Sequence, residues 1–302
     1  METPFRNYTT ANESVKTNYE KQRRFQNYDY VKEMHKKYHH FTIKMNIWEA
    51  IELLDNFIDL SDPDISLPNI KHIFQTAEAI RKDELPDWMQ LVGLIHDLGK
   101  MIYIRGNNED GTTMEEQWGI VGDTFIVGCS IPNTIVYPEF NSLNFDHTKY
   151  DRNQQRDSFT DIDQKTHIRD RIEHRQSSSS NNEVVLSDKF GLYYPNCGLD
   201  NCLASYGHDE YLYQVLINAK TTIPNEGLKM IRYHSMYVWH TYNEYEHFMN
   251  EEDYKTKDWV KLFNKYDLYS KSNKPYDKNE IDELKKYYTP IIKKYNCNEL
   301  FL

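Results

Sequence analysis

Cysteine is scarce: Cys129, Cys197, Cys202 and Cys297 are the only four in 302 residues. That density excludes a disulfide-built scaffold and points to a reducing, cytoplasmic setting. Long apolar runs are missing too. None reaches the roughly 18 residues that a bilayer-crossing helix needs. The opening stretch METPFRNYTTANESVKTNYEKQ lacks the apolar core of a secretory signal, so no membrane association is expected. Excess positive charge is the third absence. Lys and Arg number 36 against 47 Asp and Glu, a net charge of −11. This argues against the clustered basic surface that nucleic acids require. The acidic balance favours a soluble monomer and leaves small neutral or cationic substrates open.

What is present is helical periodicity. Residues 1 to about 45 are polar and aromatic and read as an arm or a few loosely packed helical turns. From Ile47 onward Ala50, Leu53, Leu54, Phe57 and Ile58 recur at three- and four-residue spacing. The two prolines of SDPDISLP, 61–68, end that helix. A second helix is predicted over 69–82, and a third from Pro86 to Leu98 with Gly99 at its C-terminal end. Helical spacing returns at 207–220, 225–238, 257–267 and 280–293. The stretch GIVGDTFIVGCSIPNTIVY, 119–137, is rich in β-formers and broken by Gly and Pro, which predicts a small hairpin. Two stretches read as polar insertions, at about 107–116 and 141–186. The second holds the run Ser177–Ser180 and reads as disordered or poorly packed. The expectation is a mostly α fold, a helical bundle with a small β-hairpin, as a single domain over 1–302.

Twelve histidines are present, so a histidine alone carries little weight. Four lie beside the apolar stripes of predicted helices: His72, His96, His208 and His234. His96-Asp97 is the sharpest signal. It follows the wholly apolar LVGLI, and a buried carboxylate is costly unless it is paired or bound to a metal. Imidazole with carboxylate suits Fe, Mn or Zn. A His on one helix, His-Asp on the next and an Asp on a late helix is the ligand pattern of HD-domain proteins. Here that pattern is His72, His96, Asp97 and Asp267. His208 and His234 add two more donors. One metal cannot take four His and two Asp and stay open to substrate, so two metals are expected, with Asp97 able to bridge them. Lys100 stands on the face of both His96 and Asp97. It reads either as the ordinary cation of a helix C-terminus or as a donor to a substrate oxygen.

The segments FRNYT, SDPD, FQTAEAIRK, LVGLIHDLGK, QWGIVGDTFIVGC, YPNCGLDNCLASYGHDEYLYQV, MIRYHSMYVWHT and FNKYDLYSK resemble myo-inositol oxygenases, a family of the HD-domain superfamily. They span nearly the whole chain except the two insertions and both ends. The resemblance implies a mixed-valent centre of two Fe ions. His72, His96 and Asp267 would ligate one iron and His208 and His234 the other, with Asp97 bridging. It implies oxidation of myo-inositol by O₂ to D-glucuronate and water, with cleavage of the C1–C6 bond. The inositol would chelate the second iron, on the His234 side. Arg6, Asp59, Ser61, Lys100, Gly122, Asp123 and Ser235 would hold its other hydroxyls. Lys100 and Asp97 are the residues expected to take part in catalysis. Leu60 departs from the family, since an acidic residue is more usual there. The rival reading is an HD-domain phosphohydrolase, which should gather several Lys or Arg near the metals; only Lys100 and Arg6 qualify.

Overall fold

The computed structural model describes residues 8–63, 69–150, 190–269 and 276–302. The N-terminal segment is not a loose arm. Helix α1 (Glu13–Phe25) starts where the Asn12 side chain accepts from Val15 N, and helix α2 (Tyr28–Tyr38) where Asn27 accepts from Tyr30 N. Val15 and Tyr19 of α1 and Val31, Met34 and Tyr38 of α2 are buried. Much of the inward face of α1 is polar. Gln22, Arg23 and Gln26 are buried, and each donates to a backbone carbonyl distant in sequence. Gln26 Nε2 reaches Trp118 O at 2.7 Å and Tyr206 O at 2.8 Å, and Arg23 Nη2 reaches Val136 O at 2.8 Å. An amide whose N–H groups are paired in this way can serve as an interior residue.

Strand β1 (Lys44–Asn46) leads into α3 (Ile47–Leu53), which Asn46 and Glu49 open with a capping box. Helices α4 (Asn69–Lys82) and α5 (Asp87–Ile95) cross closely. Gly93 makes this possible: a Cβ there would lie 2.8 Å from Ile80 Cδ1 and 3.1 Å from Ala77 Cα. Helix α5 ends at Ile95, three residues short of the expected Leu98, and a 3-10 helix, Leu98–Arg105, takes over. A short α6 (Phe145–Tyr150) is followed by α7 (His208–Asn218), α8 (Asn225–Tyr233), α9 (Tyr237–His240), α10 (Glu251–Tyr269) and α11 (Lys278–Lys294). The helix expected over 225–238 thus breaks at His234–Met236. Strand β2 (Glu299–Phe301) pairs antiparallel with β1, Met45 opposite Leu300.

The fold is therefore mostly helical with one small antiparallel strand pair, but that pair does not lie at 119–137. There the chain turns irregularly, and its pairing partner is distant. Val127 N donates to Leu203 O and Ser205 N to Phe125 O, around a single bridge between Ile126 and Ala204. The 107–116 stretch is also anchored rather than a free surface insertion. Asp110 accepts from Lys37 Nζ and Tyr38 OH, Tyr30 OH donates to its carbonyl, and Thr112 is buried. Residues 141–150 likewise belong to the framework. Asp146 Oδ2 accepts from Tyr28 N at 2.7 Å and Gly128 N at 2.8 Å, and Asn141, Asn144 and His147 are buried. The rest of that proposed insertion, from 151, lies outside the described residues. Buried apolar side chains from α2 through β2 form one continuous cluster. Among the described residues no helix is long and apolar enough to cross a membrane.

Candidate metal centre

Six side chains named from the sequence converge in the middle of the bundle. His72 lies in the first turn of α4, His96 caps the C-terminus of α5, and Asp97 precedes the 3-10 helix. His208 opens α7, His234 caps the C-terminus of α8, and Asp267 lies near the end of α10. Helix ends suit this task, because a residue there can aim inward without interrupting the helix. The six form two groups that share Asp97. On one side His72 Nε2 is 2.8 Å and His96 Nε2 3.3 Å from Asp267 Oδ1, while Asp97 Oδ2 lies 3.6 Å from His96 Nε2 and 4.0 Å from His72 Nε2. On the other side Asp97 Oδ1 is 3.2 Å from His208 Nε2 and 4.0 Å from His234 Nε2. Each oxygen of the one carboxylate thus faces its own pair of imidazoles.

The tautomers decide what this arrangement is for. His96 Nδ1 contacts Gly93 O at 2.9 Å, His208 Nδ1 contacts Ile120 O at 2.8 Å, and His234 Nδ1 contacts Ile231 O at 2.7 Å. A carbonyl only accepts, so in each neutral ring the proton sits on Nδ1 and Nε2 carries a lone pair. His208 Nε2 and His234 Nε2 then face each other at 3.0 Å, with a carboxylate oxygen beside them. Lone pairs against lone pairs are repulsive unless a cation lies between, and the same backbone contacts are how metal-bound histidines are held. His234 is kept neutral: burial, then His208 and His96, push its pKa down to about 3. Burial works to raise Asp97 and Asp267, but Lys100 beside the first, and His72 and His96 beside the second, hold both carboxyls well below the usual range. Four imidazoles and two carboxylates, in two groups sharing one carboxylate, fit a pair of metal ions.

The sequence profile of the family described as Myo-inositol oxygenase matches residues 12–164 and 163–301. The chain belongs to the myo-inositol oxygenase family. Its relatives include the inositol oxygenase of Dictyostelium discoideum, 40% identical over 301 residues, covering 98% of this chain and 89% of the relative. The probable inositol oxygenase of Oryza sativa subsp. japonica is 41% identical over 297 residues, 96% of this chain and 82% of the relative. The inositol oxygenase of Homo sapiens is 38% identical over 295 residues, 96% and 88% of the two.

Around the shared carboxylate this member of the myo-inositol oxygenase family builds a polar wall. Lys100 Nζ donates to Asp59 Oδ2 at 2.8 Å, Asn69 Oδ1 at 2.9 Å and Asp97 Oδ2 at 3.0 Å. Burial alone would lower the Lys100 pKa; Asp59 and Asp97 more than reverse that and keep the ammonium charged. Burial would raise the Asp59 carboxyl, but Lys100 and Ser61 hold it down at about 2. Ser61 donates to Asp59 Oδ1 through both N, at 2.8 Å, and Oγ, at 2.6 Å. On the other side Thr124 N donates to Ser235 O, which ties the Gly122–Asp123 turn to the residue after His234. Gly122 has φ of +122°, and a Cβ there would press on the Gln22 amide. Asp123 is buried, and its Oδ2 accepts from Val136 N at 3.2 Å. Arg6 lies outside the described residues.

Two features escaped the sequence reading. Asn69 donates to Asp97 Oδ2 at 2.7 Å and accepts from Lys100, so it orients both. It stands three residues before His72, on the same helix face, and that spacing was a usable signal. Asp209 follows His208 but points elsewhere, accepting from Thr124 Oγ1 at 2.7 Å and from Glu210 N. The two halves also meet backbone to backbone: a Cβ on Gly99 would fall inside the His208 carbonyl.

Proposed function

We propose that the protein is a di-iron oxygenase that converts myo-inositol and O₂ to D-glucuronate and water. We read it as a cytoplasmic monomer and a single HD-type domain over 1–302, with no membrane or nucleic-acid partner. The observation that carries the reading is the pairing of imidazole lone pairs about the two oxygens of Asp97. His72, His96 and Asp267 would hold one iron, His208 and His234 the other, with Asp97 between them. When bound, the irons supply Lewis acidity toward the hydroxyls and a redox partner for O₂.

The rest of the task falls to the chain's own side chains. Myo-inositol is a neutral ring of similar hydroxyls, so recognition needs short polar groups placed around it. Asp59, Ser61, Asp123 and Ser235 supply these, Gly122 lets the backbone approach, and Arg6 is assigned to the same pocket. Lys100 stays protonated, so it can donate to a substrate oxygen as negative charge grows there, and it need not take up a proton first. The ring C1–C6 bond breaks, and four electrons pass from the substrate to O₂. One oxygen atom enters the product and the other leaves as water, so no external reductant is consumed. The phosphohydrolase alternative needs several cations to hold phosphate, whereas Lys100 is the only cation among the described residues assigned to this pocket.

The test is stoichiometric. Iron-loaded, partly reduced protein should consume one O₂ for each inositol and release one glucuronate. Zn²⁺-loaded protein, and iron protein held without O₂, should release none. Glucuronate formed under strict anaerobiosis, or phosphate released from nucleotides by the Zn²⁺ form, would overturn the assignment.

A further inference from the structure

We propose that Cys197 and Cys202 form a modification site, a dithiol that a peroxide converts reversibly to a disulfide. All four cysteines are free thiols, and the metal centre uses none of them. Cys197 Sγ and Cys202 Sγ lie 3.5 Å apart at the two ends of one tight turn. The turn is held in shape by its own backbone. Gly198 takes the left-handed φ of +84°, Asn201 N and Cys202 N donate to Gly198 O and Leu199 O, and Asn201 Nδ2 returns to Cys197 O at 2.7 Å. Its outer side is pinned as well: Gly198 N donates to Phe248 O at 2.7 Å and Leu199 N to Asp253 Oδ2 at 2.9 Å. The sulfurs are therefore kept as neighbours by contacts that do not depend on them. Reaching the S–S length of about 2.05 Å asks for about 1.5 Å of approach, within the range of side-chain rotation at the mouth of a turn.

The two thiols differ in a way that suits sequential chemistry. Cys197 is half-buried, whereas Cys202 is buried, so Cys197 is the thiol that a small oxidant would meet first. Burial, then Cys197 itself, pushes the Cys202 thiol up, so it waits as the protonated partner. Hydrogen peroxide transfers one oxygen to the Cys197 sulfur and leaves as the first water. The Cys202 sulfur then bonds to the Cys197 sulfur, the S–O bond breaks, and the departing hydroxide takes the Cys202 proton as the second water. Two thiol hydrogens and two electrons thereby reduce one peroxide to two waters. Cys129 is the competitor in the neighbourhood, but burial pushes its thiol well up and its Sγ contacts Ile126 O.

The experiment uses the full chain, with a chelator present so that free iron does not consume the oxidant. It is exposed to hydrogen peroxide, blocked with N-ethylmaleimide and cut at lysine and aspartate. Cleavage before Asp200 separates the two cysteines unless a bond joins them. The expected product is the pair of fragments linked, lighter by two hydrogens and separated by dithiothreitol, with Cys129 and Cys297 still alkylated. Cys202→Ser should abolish the link and leave Cys197 as a sulfenic acid that dimedone traps. A Cys197–Cys129 link, linkage only between chains, or two cysteines that stay alkylatable in the wild type would overturn the proposal. Because no activity is read, failure here leaves the oxygenase assignment standing.

Discussion

Lys100 is buried, yet its ammonium is surrounded by oxygens from Asp59, Asn69 and Asp97. A buried cation with that many acceptors stays charged across any working pH, so its value lies in donation rather than proton exchange. Lys100→Ala should leave both metals bound and lower turnover by about 10²–10³, the scale of removing one preorganised donor. Metal content by mass spectrometry and steady-state kinetics on the same sample check this. Near-wild-type turnover would return Lys100 to the role of a helix-end cation. At this scale the sequence was highly informative. His72, His96, Asp97, His208, His234 and Asp267 were named from apolar context and from the resemblance, and they converge. Asn69 was missed because a neutral amide announces nothing by composition; only its spacing from His72 pointed to it, and its role between Lys100 and Asp97 comes from the fold.

Helices with an aliphatic stripe were legible almost to the residue, as at Asn69–Lys82. Helix α1 was not, because its inward face carries Asn18, Gln22 and Arg23, whose donors reach groups from distant loops, and α2 was not, because it buries only Val31, Met34 and Tyr38 amid charged residues. The strand pair was misplaced for a related reason. Residues 125–127 have strand-forming side chains, but their partner, 203–205, is far along the chain, and local pattern cannot name it. The C-terminal end of α2 has a measurable pH signature. His39 and His35 pack edge to face at 4.4 Å, and His39 Nε2 is buried without a hydrogen-bond partner. Burial first, and His35 second, lower the His39 pKa from 6.5 to about 4. The unfolded chain therefore binds this proton more readily than the folded one. The stability that the neutral ring contributes is complete above pH 6.5 and is lost as pH falls toward about 4. His39→Gln should flatten the fall in melting temperature over that window, as read by circular dichroism. An unchanged slope would show that other groups govern it.

At the scale of the whole molecule, helices from distant parts of the chain each deliver one or two side chains to the candidate centre, and the central cluster holds them in register. None of the residues assigned to the site falls within 151–189, which lies outside the described residues. Excising 153–187 and rejoining the ends with a short Gly/Ser linker keeps Asp146 and His147 in place, and it should leave metal content and turnover within about twofold, since loop length weighs only logarithmically on stability. Loss of soluble, metal-loaded protein on excision would show that the segment is required. The meeting of Gly99 with the His208 carbonyl bears on inheritance as well as geometry. The spacing between the two halves of the centre rests on main chain against main chain, which no side-chain repacking can relieve. Every residue other than glycine has a Cβ, so each missense change at codon 99 inserts an atom into occupied space. Such alleles should behave as complete losses of function, alanine included, and a saturation library selected for activity should return glycine alone at that position.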